Sequence, residues 1–311
     1  VTHDYETTEL LAGTIPEDEP HGAQVMARYR WFRSEYEKVT RSWQDFGSPY
    51  RAQWFGMSVL RRATELEKRS ALLDSLDDVI ANTATFLGRS PGWDRVWSNE
   101  QGPVLEDLQS LRRLCHEIDS SDAAESGSIA EHTKEEREWV RSRKQRLDDM
   151  TSNLEDGSLQ PSAALDELDE IASETKTKAA RLAREAIDAD TSSYADERRR
   201  RYDSRSSKEA AYAGYWYLGG GHGSYNPHST IRLNPSSPAI SAIGSSSSGA
   251  GAGGSYSSFT PISDLVVGYS SASSYTPPSS SGSGSSFSGG GFSGGYSGGG
   301  GFSGSGSSSS F

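Results

Sequence analysis

The sequence is poor in three features that define common classes of protein: cysteine, long apolar runs and, over its last third, charge. Cys115 is the single cysteine among 311 residues, so the chain forms no internal disulfide and has too few thiolates for a cysteine zinc site. No run of 18 apolar residues occurs, so we expect no membrane-spanning helix. The first residues, which start at Val1, lack the basic and apolar regions of a signal peptide.

Charged residues are confined almost entirely to the first 212 positions. Only Arg232 and Asp264 are charged beyond that point, and the last 99 residues contain 24 of the 33 glycines. This uneven composition excludes a single globular enzyme that fills the whole chain. The net charge of −12 repels phosphate groups, so we expect no nucleic-acid partner.

Apolar residues at helical spacing predict a bundle of about five helices between residues 21 and 192. In the first helix an apolar side chain recurs every three or four residues, which is the pattern of a seam that packs against partner helices. The seam consists of Val25, Tyr29, Phe32, Tyr36, Val39, Trp43 and Phe46. The second helix is predicted from about residue 51 to 87, and Gly-Pro-rich segments end both helices.

Prolines mark the predicted starts of two later helices. We assign Pro103 to the first turn of the third helix and place Trp93 and Trp97 in the connection before it. The fourth helix is predicted at about 131–154, and the fifth starts at Pro161. Because strand patterns are absent from this region, we predict an all-α, antiparallel bundle with coiled-coil-like packing.

The segments before and after the bundle are predicted to form a leader, a linker and a disordered tail. Residues 1–20 are interpreted as an acidic leader, and residues 193–243 as a basic and aromatic linker. Residues 244–311 are rich in Gly and Ser and bury too little apolar surface to offset chain entropy, so we predict a disordered tail. We expect this tail to contribute nothing to the packing of the bundle.

No set of residues in the sequence satisfies the requirements of a catalytic or metal site. Cys115 and His116 are neighbours, and adjacent residues on a helix point about 100° apart, so they do not form a nucleophile–base pair. Cys115 is interpreted as a small core or boundary residue. We therefore expect no catalytic residue, no bound metal and no cofactor, and a protein that is not an enzyme.

The concentrated positive charge of the chain is a run of four arginines. These interaction candidates are Arg198, Arg199, Arg200 and Arg201. One interpretation is the C-terminal end of the last helix, where cations complement the helix dipole. The second interpretation is contact with an anionic lipid surface through residues 198–208.

Isolated aromatic residues recur in the tail between Ser and Gly spacers. Four of them, Phe287, Phe292, Tyr296 and Phe302, are candidates for weak contacts between chains. This pattern predicts weak self-association, and a flexible spacer is the alternative.

The order of several segments resembles a known family. These segments are Thr14-Ile15-Pro16, the aromatic helix from Tyr29 to Tyr36, the Trp93 and Trp97 connection, the Leu-rich helix after Pro103, and the Phe-Ser-Gly ending at Phe311. Together they resemble the C-terminal region of actinobacterial membrane proteins related to TPM-domain proteins. Such proteins carry an exported TPM-like domain and a transmembrane helix before a helical region of this kind. The resemblance implies association with the bacterial envelope through a segment not in this chain, and it supplies no functional residues.

We therefore expect a non-enzymatic helical interaction or scaffold module, with a flexible tail for weak self-association or spacing. Its partner would be another protein or a second copy of the chain. The alternative is an accessory or regulatory module of an enzyme whose catalytic part is absent from this chain.

Overall fold

The computed structural model describes residues 2–47, 56–206, 231–232 and 262–276. The helices in these ranges are α1 (Thr2–Ala12), α2 (Gly22–Phe46), α3 (Met57–Leu87), α4 (Trp93–Asp119), α5 (Gly127–Asp156), α6 (Pro161–Asp188), α7 (Ala195–Ser206) and α8 (Ile262–Ser273). A short 3-10 helix, Asp122–Glu125, joins α4 to α5. No β-strand occurs in the described ranges, which confirms the predicted all-α class.

Helices α4, α5 and α6 pack against one another and form the centre of the bundle, with α3 on one side of α4. Their apolar stripes face inward, and the side chains of Leu108, Leu111, Leu147, Met150, Leu165 and Leu168 are at most 1% exposed. Each such side chain contributes about 1.5 to 3 kcal/mol through its removal from water. The predicted starts and stops of this region are confirmed at two points: α6 begins at Pro161, and Gly157 ends α5 with a left-handed φ of 85°.

The apolar seam predicted on α2 is confirmed along the first two thirds of that helix. Val25, Tyr29, Phe32 and Val39 are buried, whereas Trp43 near the C-terminal end is 41% exposed. Helix α2 packs on α3, and among the described residues the seam is least covered near the C-terminal end of α2.

The N-terminal segment predicted as an acidic leader contains a packed helix instead. Helix α1 lies against α3 and α2, and the ring of Tyr5 stacks on Tyr36 with centroids 4.6 Å apart. Thr8 and Ala12 are also buried. This helix was not predicted because its inward positions include a threonine and an alanine, which make its apolar pattern weak.

Helix α4 begins ten residues earlier than predicted, and Pro103 lies inside it. A proline within a helix costs about 3 kcal/mol because one backbone hydrogen bond is lost and the ring crowds the preceding turn. Packing before the proline offsets this cost. Trp97 stacks on Phe86 with centroids 5.7 Å apart, and its Nε1–H donates to Thr151 Oγ1 at 2.9 Å.

Two helices lie in segments that the sequence analysis assigns to a linker and a disordered tail. Helix α7 lies in the predicted linker, and α8 packs against α4, α6 and α7. The inward side chains of α8 are Ile262, Val266, Tyr269 and Ala272. The expectation that residues 244–311 add nothing to the bundle is therefore wrong for α8, and the rest of that segment up to 311 lies outside the described residues, except Ser274–Thr276.

Adjacent valines on α8 test this docking directly. Val266 is 4% exposed and Val267 is 63% exposed. We expect Val266→Asp to detach α8 and to lower the free energy of unfolding by about 2 kcal/mol or more, because a charge would be buried without a partner. The matched control Val267→Asp should stay within about 0.5 kcal/mol of wild type. Thermal and urea unfolding measure both variants, and equal effects would mean that α8 does not pack on the bundle.

Candidate functional site

A layer of charged side chains lies between α4, α6 and the segment Ile231–Arg232. We call Glu100, Asp107, Asp169, Lys176 and Arg232 the charged layer. On α4 the two acidic residues are seven positions apart, as are the two residues on α6, so each pair lies on one face of its helix. Glu100, Lys176 and Arg232 are each less than 9% exposed. Charged groups are seldom buried this deeply unless they are paired.

Arg232 is seated among the acidic side chains of this layer. Its Nε lies 3.5 Å from Glu100 Oε2, and its Nη2 donates a hydrogen bond to Asp169 Oδ1. The side chains of Arg232 and Glu100 are 4% and 1% exposed, and the neighbouring Ile231 is fully buried. Arg232, which is one of the two charged residues among the last 99 positions, therefore attaches its segment to the bundle.

Asp107 connects the same layer to α8. Its carboxylate accepts a hydrogen bond from the backbone N–H of Ile262, the first residue of α8, and interacts electrostatically with Lys176. A carboxylate at this position satisfies one of the open N–H groups at a helix start and interacts favourably with the helix dipole. Two separate C-terminal segments are thus attached to α4 and α6 at one layer.

Burial shifts the pKa values in this layer. Burial raises the pKa of Asp107 to about 6, against the opposing attraction of Lys176. Burial likewise raises the pKa of Asp169 to about 6, although Arg232 favours its charged form. The same removal from water lowers the pKa of Lys176 to about 8. The charge of the layer therefore changes between about pH 5 and 7, where most surface carboxylates are already ionised.

The space enclosed by the charged layer is small. The space between Glu100, Pro103, Val104, Asp107, Asp169, Ala172 and Arg232 is about 10 Å³, which is room for about one water molecule. None of the described residues that line it is a Ser, Cys or His. Among the residues that the structure describes, no group of three or more His, Cys, Asp and Glu side chains is arranged to hold a metal ion.

The four predicted interaction arginines lie on α7, in its second turn, and not at the end of the last bundle helix. The interpretation as a C-terminal helix end is therefore wrong. The side chain of Arg198 points into the protein, where Nη1 lies 2.8 Å from Asp190 Oδ2 and Nε–H donates to the carbonyl oxygen of Tyr275. Tyr275 also receives the guanidinium of Arg201 over its ring at 3.6 Å.

The other arginines of this run are also paired with carboxylates. Arg199 contacts Asp188 and Asp196, and both Arg200 and Arg201 contact Glu197. The run thus helps to attach α7 to its surroundings, and contact of residues 198–208 with anionic lipid stays a prediction. The aromatic candidates of the tail, Phe287, Phe292, Tyr296 and Phe302, lie outside the described residues.

The charged layer was not predicted from the sequence, although two signals were present. One signal is Arg232 itself, an isolated arginine in a nearly neutral segment. The other signal is the seven-residue spacing of Glu100 with Asp107 and of Asp169 with Lys176. Neither signal identifies the partner, because the pairing joins residues 63 or more positions apart.

A protein-family comparison matches more than half of the chain. The family described as a domain of unknown function, DUF5129, matches residues 1–168. The chain belongs to the DUF5129 family. No curated protein and no solved structure matches it. The DUF5129 match ends one residue before Asp169, so it includes Glu100 and Asp107 but not the other members of the charged layer.

The DUF5129 match also ends inside helix α6, which begins at Pro161. The rest of α6 is packed against α4 and α5, so the folded unit extends beyond the matched residues. In the described ranges, no helix combines the length and the apolar character needed to cross a membrane.

Replacing Asp169 with Asn removes a carboxyl whose pKa is about 6 in the folded protein and about 3.9 in an unfolded chain. The folded protein binds this proton more tightly, so the stabilisation from protonation is present below about pH 4 and is lost as the pH rises through about 6. We expect wild type to lose about 2 kcal/mol relative to Asp169→Asn between about pH 4 and 7. Urea unfolding of both proteins across this range measures the difference.

The control for this experiment is Glu170→Gln, which changes an exposed carboxyl on the same helix. Its difference from wild type should depend much less on pH. If wild type instead gained stability relative to Asp169→Asn as the pH rises, the attraction of Arg232 would outweigh the cost of burial.

Cys115 is confirmed as a core residue. It is fully buried, and burial raises the pKa of its thiol to about 12. Because the thiolate is the reactive form, we expect a thiol reagent at about pH 8 to label Cys115 only when the protein unfolds. Labelling rates measured across a urea series should therefore follow the unfolding transition, and rapid labelling in native buffer would contradict this.

Proposed function

We propose that this DUF5129 protein is a non-enzymatic helical interaction module, and that the free ends of α2 and α3 form its docking surface. One observation carries the proposal. Of the six exposed large apolar side chains in the described residues, three lie on the last turn of α2 or the first turn of α3. The six are Leu10, Trp43, Met57, Leu60, Tyr194 and Val267. We call Trp43, Met57 and Leu60 the hairpin-end patch.

Among the residues that the structure describes, only α2 and α3 meet at the hairpin-end patch, and its three side chains are exposed. Trp43 Nε1–H donates to Ser70 Oγ at 2.9 Å, and the guanidinium of Arg62 lies 5.6 Å from the ring centroid of Phe46. These contacts join α2 to α3, and no third helix of the described ranges packs on this end of the pair. An apolar helix face that remains exposed is typical of a surface that binds another helix.

A second copy of the chain is the partner that we propose for this surface. A two-helix end with an apolar face becomes a four-helix arrangement when two copies pack about a two-fold axis. Such a contact is self-complementary and needs no other protein. It agrees with the expectation of self-association from the sequence, although it uses a different part of the chain.

The finer proposal concerns location. We propose that the module belongs to an actinobacterial envelope protein and is held at the membrane by a segment outside this chain. The resemblance to the helical region of proteins related to TPM-domain proteins supports this. The alternative function is an accessory or regulatory module of an enzyme, and in that case the hairpin-end patch would bind the catalytic part.

Changing the hairpin-end patch should abolish association without a loss of stability. We expect wild type to form dimers at high concentration, and the double variant Met57→Lys, Leu60→Lys to dissociate at least tenfold more readily. Lysines at these positions introduce like charges across a two-fold contact, and each such contact is worth on the order of 1 kcal/mol. Sedimentation equilibrium over a range of concentrations measures the dissociation constants.

The matched control is Leu10→Lys, Val267→Lys, which adds two lysines at exposed apolar positions outside the patch. It should associate as wild type does, and thermal melting should be unchanged in both variants. A third variant with Phe287, Phe292, Tyr296 and Phe302 changed to Ser separates the contribution of the tail. Equal association of the two lysine variants would overturn the docking surface, and so would the absence of dimers in wild type.

A further inference from the structure

The segment Ile231–Arg232 is held by the bundle in the way that a receptor holds a bound peptide. Its two side chains are buried between α4 and α6, yet the groups that hold Arg232 belong to the bundle helices themselves. Glu100 on α4 and Asp169 on α6 are placed by apolar packing of their own helices. The acidic pocket is therefore formed by parts of the chain other than the segment that fills it.

The chemistry of the pocket is specific for an arginine after an aliphatic residue. Two carboxylates face one guanidinium, and such a planar group with several N–H donors contacts both at once, whereas an ammonium group acts as a point charge. The neighbouring apolar position holds Ile231, which has no exposed surface. A segment that lacks either side chain would leave a carboxylate without its partner or an apolar position unfilled.

The sequence around this segment is long enough to connect different molecules. Helix α7 ends at Ser206, so 24 residues, 207–230, separate it from Ile231. A chain of that length spans up to about 80 Å when extended. The longest helix of the bundle, α3, has 31 residues and is about 46 Å long. The segment of one chain can therefore reach the pocket of a neighbouring chain.

We propose that the pocket formed by Glu100 and Asp169 is a binding site for an Ile-Arg segment, and that Ile231–Arg232 of a second copy can occupy it in exchange for the chain's own segment. In the structure the segment fills the pocket of its own chain, so we expect the dilute wild-type protein to hold its own segment. Exchange links copies where chains are crowded or where a chain's own segment is displaced. This contact is independent of the hairpin-end patch.

Two complementary variants test the exchange. Arg232→Gln leaves the pocket intact but removes the anchor from the chain, and Glu100→Gln, Asp169→Asn leaves the anchor intact but removes the charge of the pocket. An equimolar mixture should form a complex in which the anchor of one protein fills the pocket of the other. We expect at least tenfold stronger association in the mixture than in either variant alone, by sedimentation with one protein labelled.

Because every sample retains the hairpin-end patch, association through that patch is the same in all of them. If the hairpin-end patch did not bind a second copy, association would be weaker by the same amount in every sample. The mixture would still associate more strongly than either variant alone. A mixture that sediments as the sum of its components overturns the exchange.

A peptide of residues 226–237 gives an independent measurement by calorimetry. It should bind the Arg232→Gln protein and show at least tenfold weaker binding to wild type, whose pocket is filled, and to the triple variant Glu100→Gln, Asp169→Asn, Arg232→Gln. The same peptide with Gln in place of Arg232 is the control and should not bind. Arg200→Gln, which changes an exposed arginine of α7, should behave as wild type does.

Arg232→Lys guards against a loss of folding in the Gln variant, because it keeps a positive charge in the pocket. It should bind the peptide more weakly than the Gln variant does. Equal peptide affinity for Arg232→Gln and the triple variant, or no binding to Arg232→Gln at millimolar peptide, would overturn the proposal.

Discussion

The packing of α4 against α6 around buried charges is the constraint on which the arrangement of the C-terminal half depends. Glu100 and Asp169 lie on helices whose other inward residues are mostly apolar. The packing of those helices therefore determines where the two carboxylates lie. A buried carboxylate without a cation costs several kcal/mol. Arg232 and Lys176 offset that cost, and Arg232 brings with it a segment that is remote in sequence.

Apolar side chains are buried to different degrees around α4 and at the end of the α2–α3 pair. Around α4, helices α3, α5, α6 and α8 all pack on one another or on α4, and even the short helix α8 buries five residues. At the end formed by Phe46 and Met57, only α2 and α3 meet among the described residues, and the apolar seam of α2 continues there to the exposed Trp43.

The helical class and most helix positions could be predicted from the sequence because a long apolar stripe needs no knowledge of its partner. The stripe of α6, with Leu165, Leu168 and Leu182, is an example. The extension of α4 across Pro103 could not be predicted in this way. The contacts of Trp97 with Phe86 and Thr151 come from two other helices, and they offset a local penalty that the sequence alone indicates.

The sequence by itself determined an acidic, all-α domain, its main apolar stripes, and the isolation of Arg232 in a nearly neutral segment. Only the tertiary structure decided that α1 and α8 join the bundle and that Arg232 lies between Glu100 and Asp169. The reason is physical. Periodicity records which face of a helix avoids water, whereas the pairing of buried charges depends on distances between segments that are far apart in the chain.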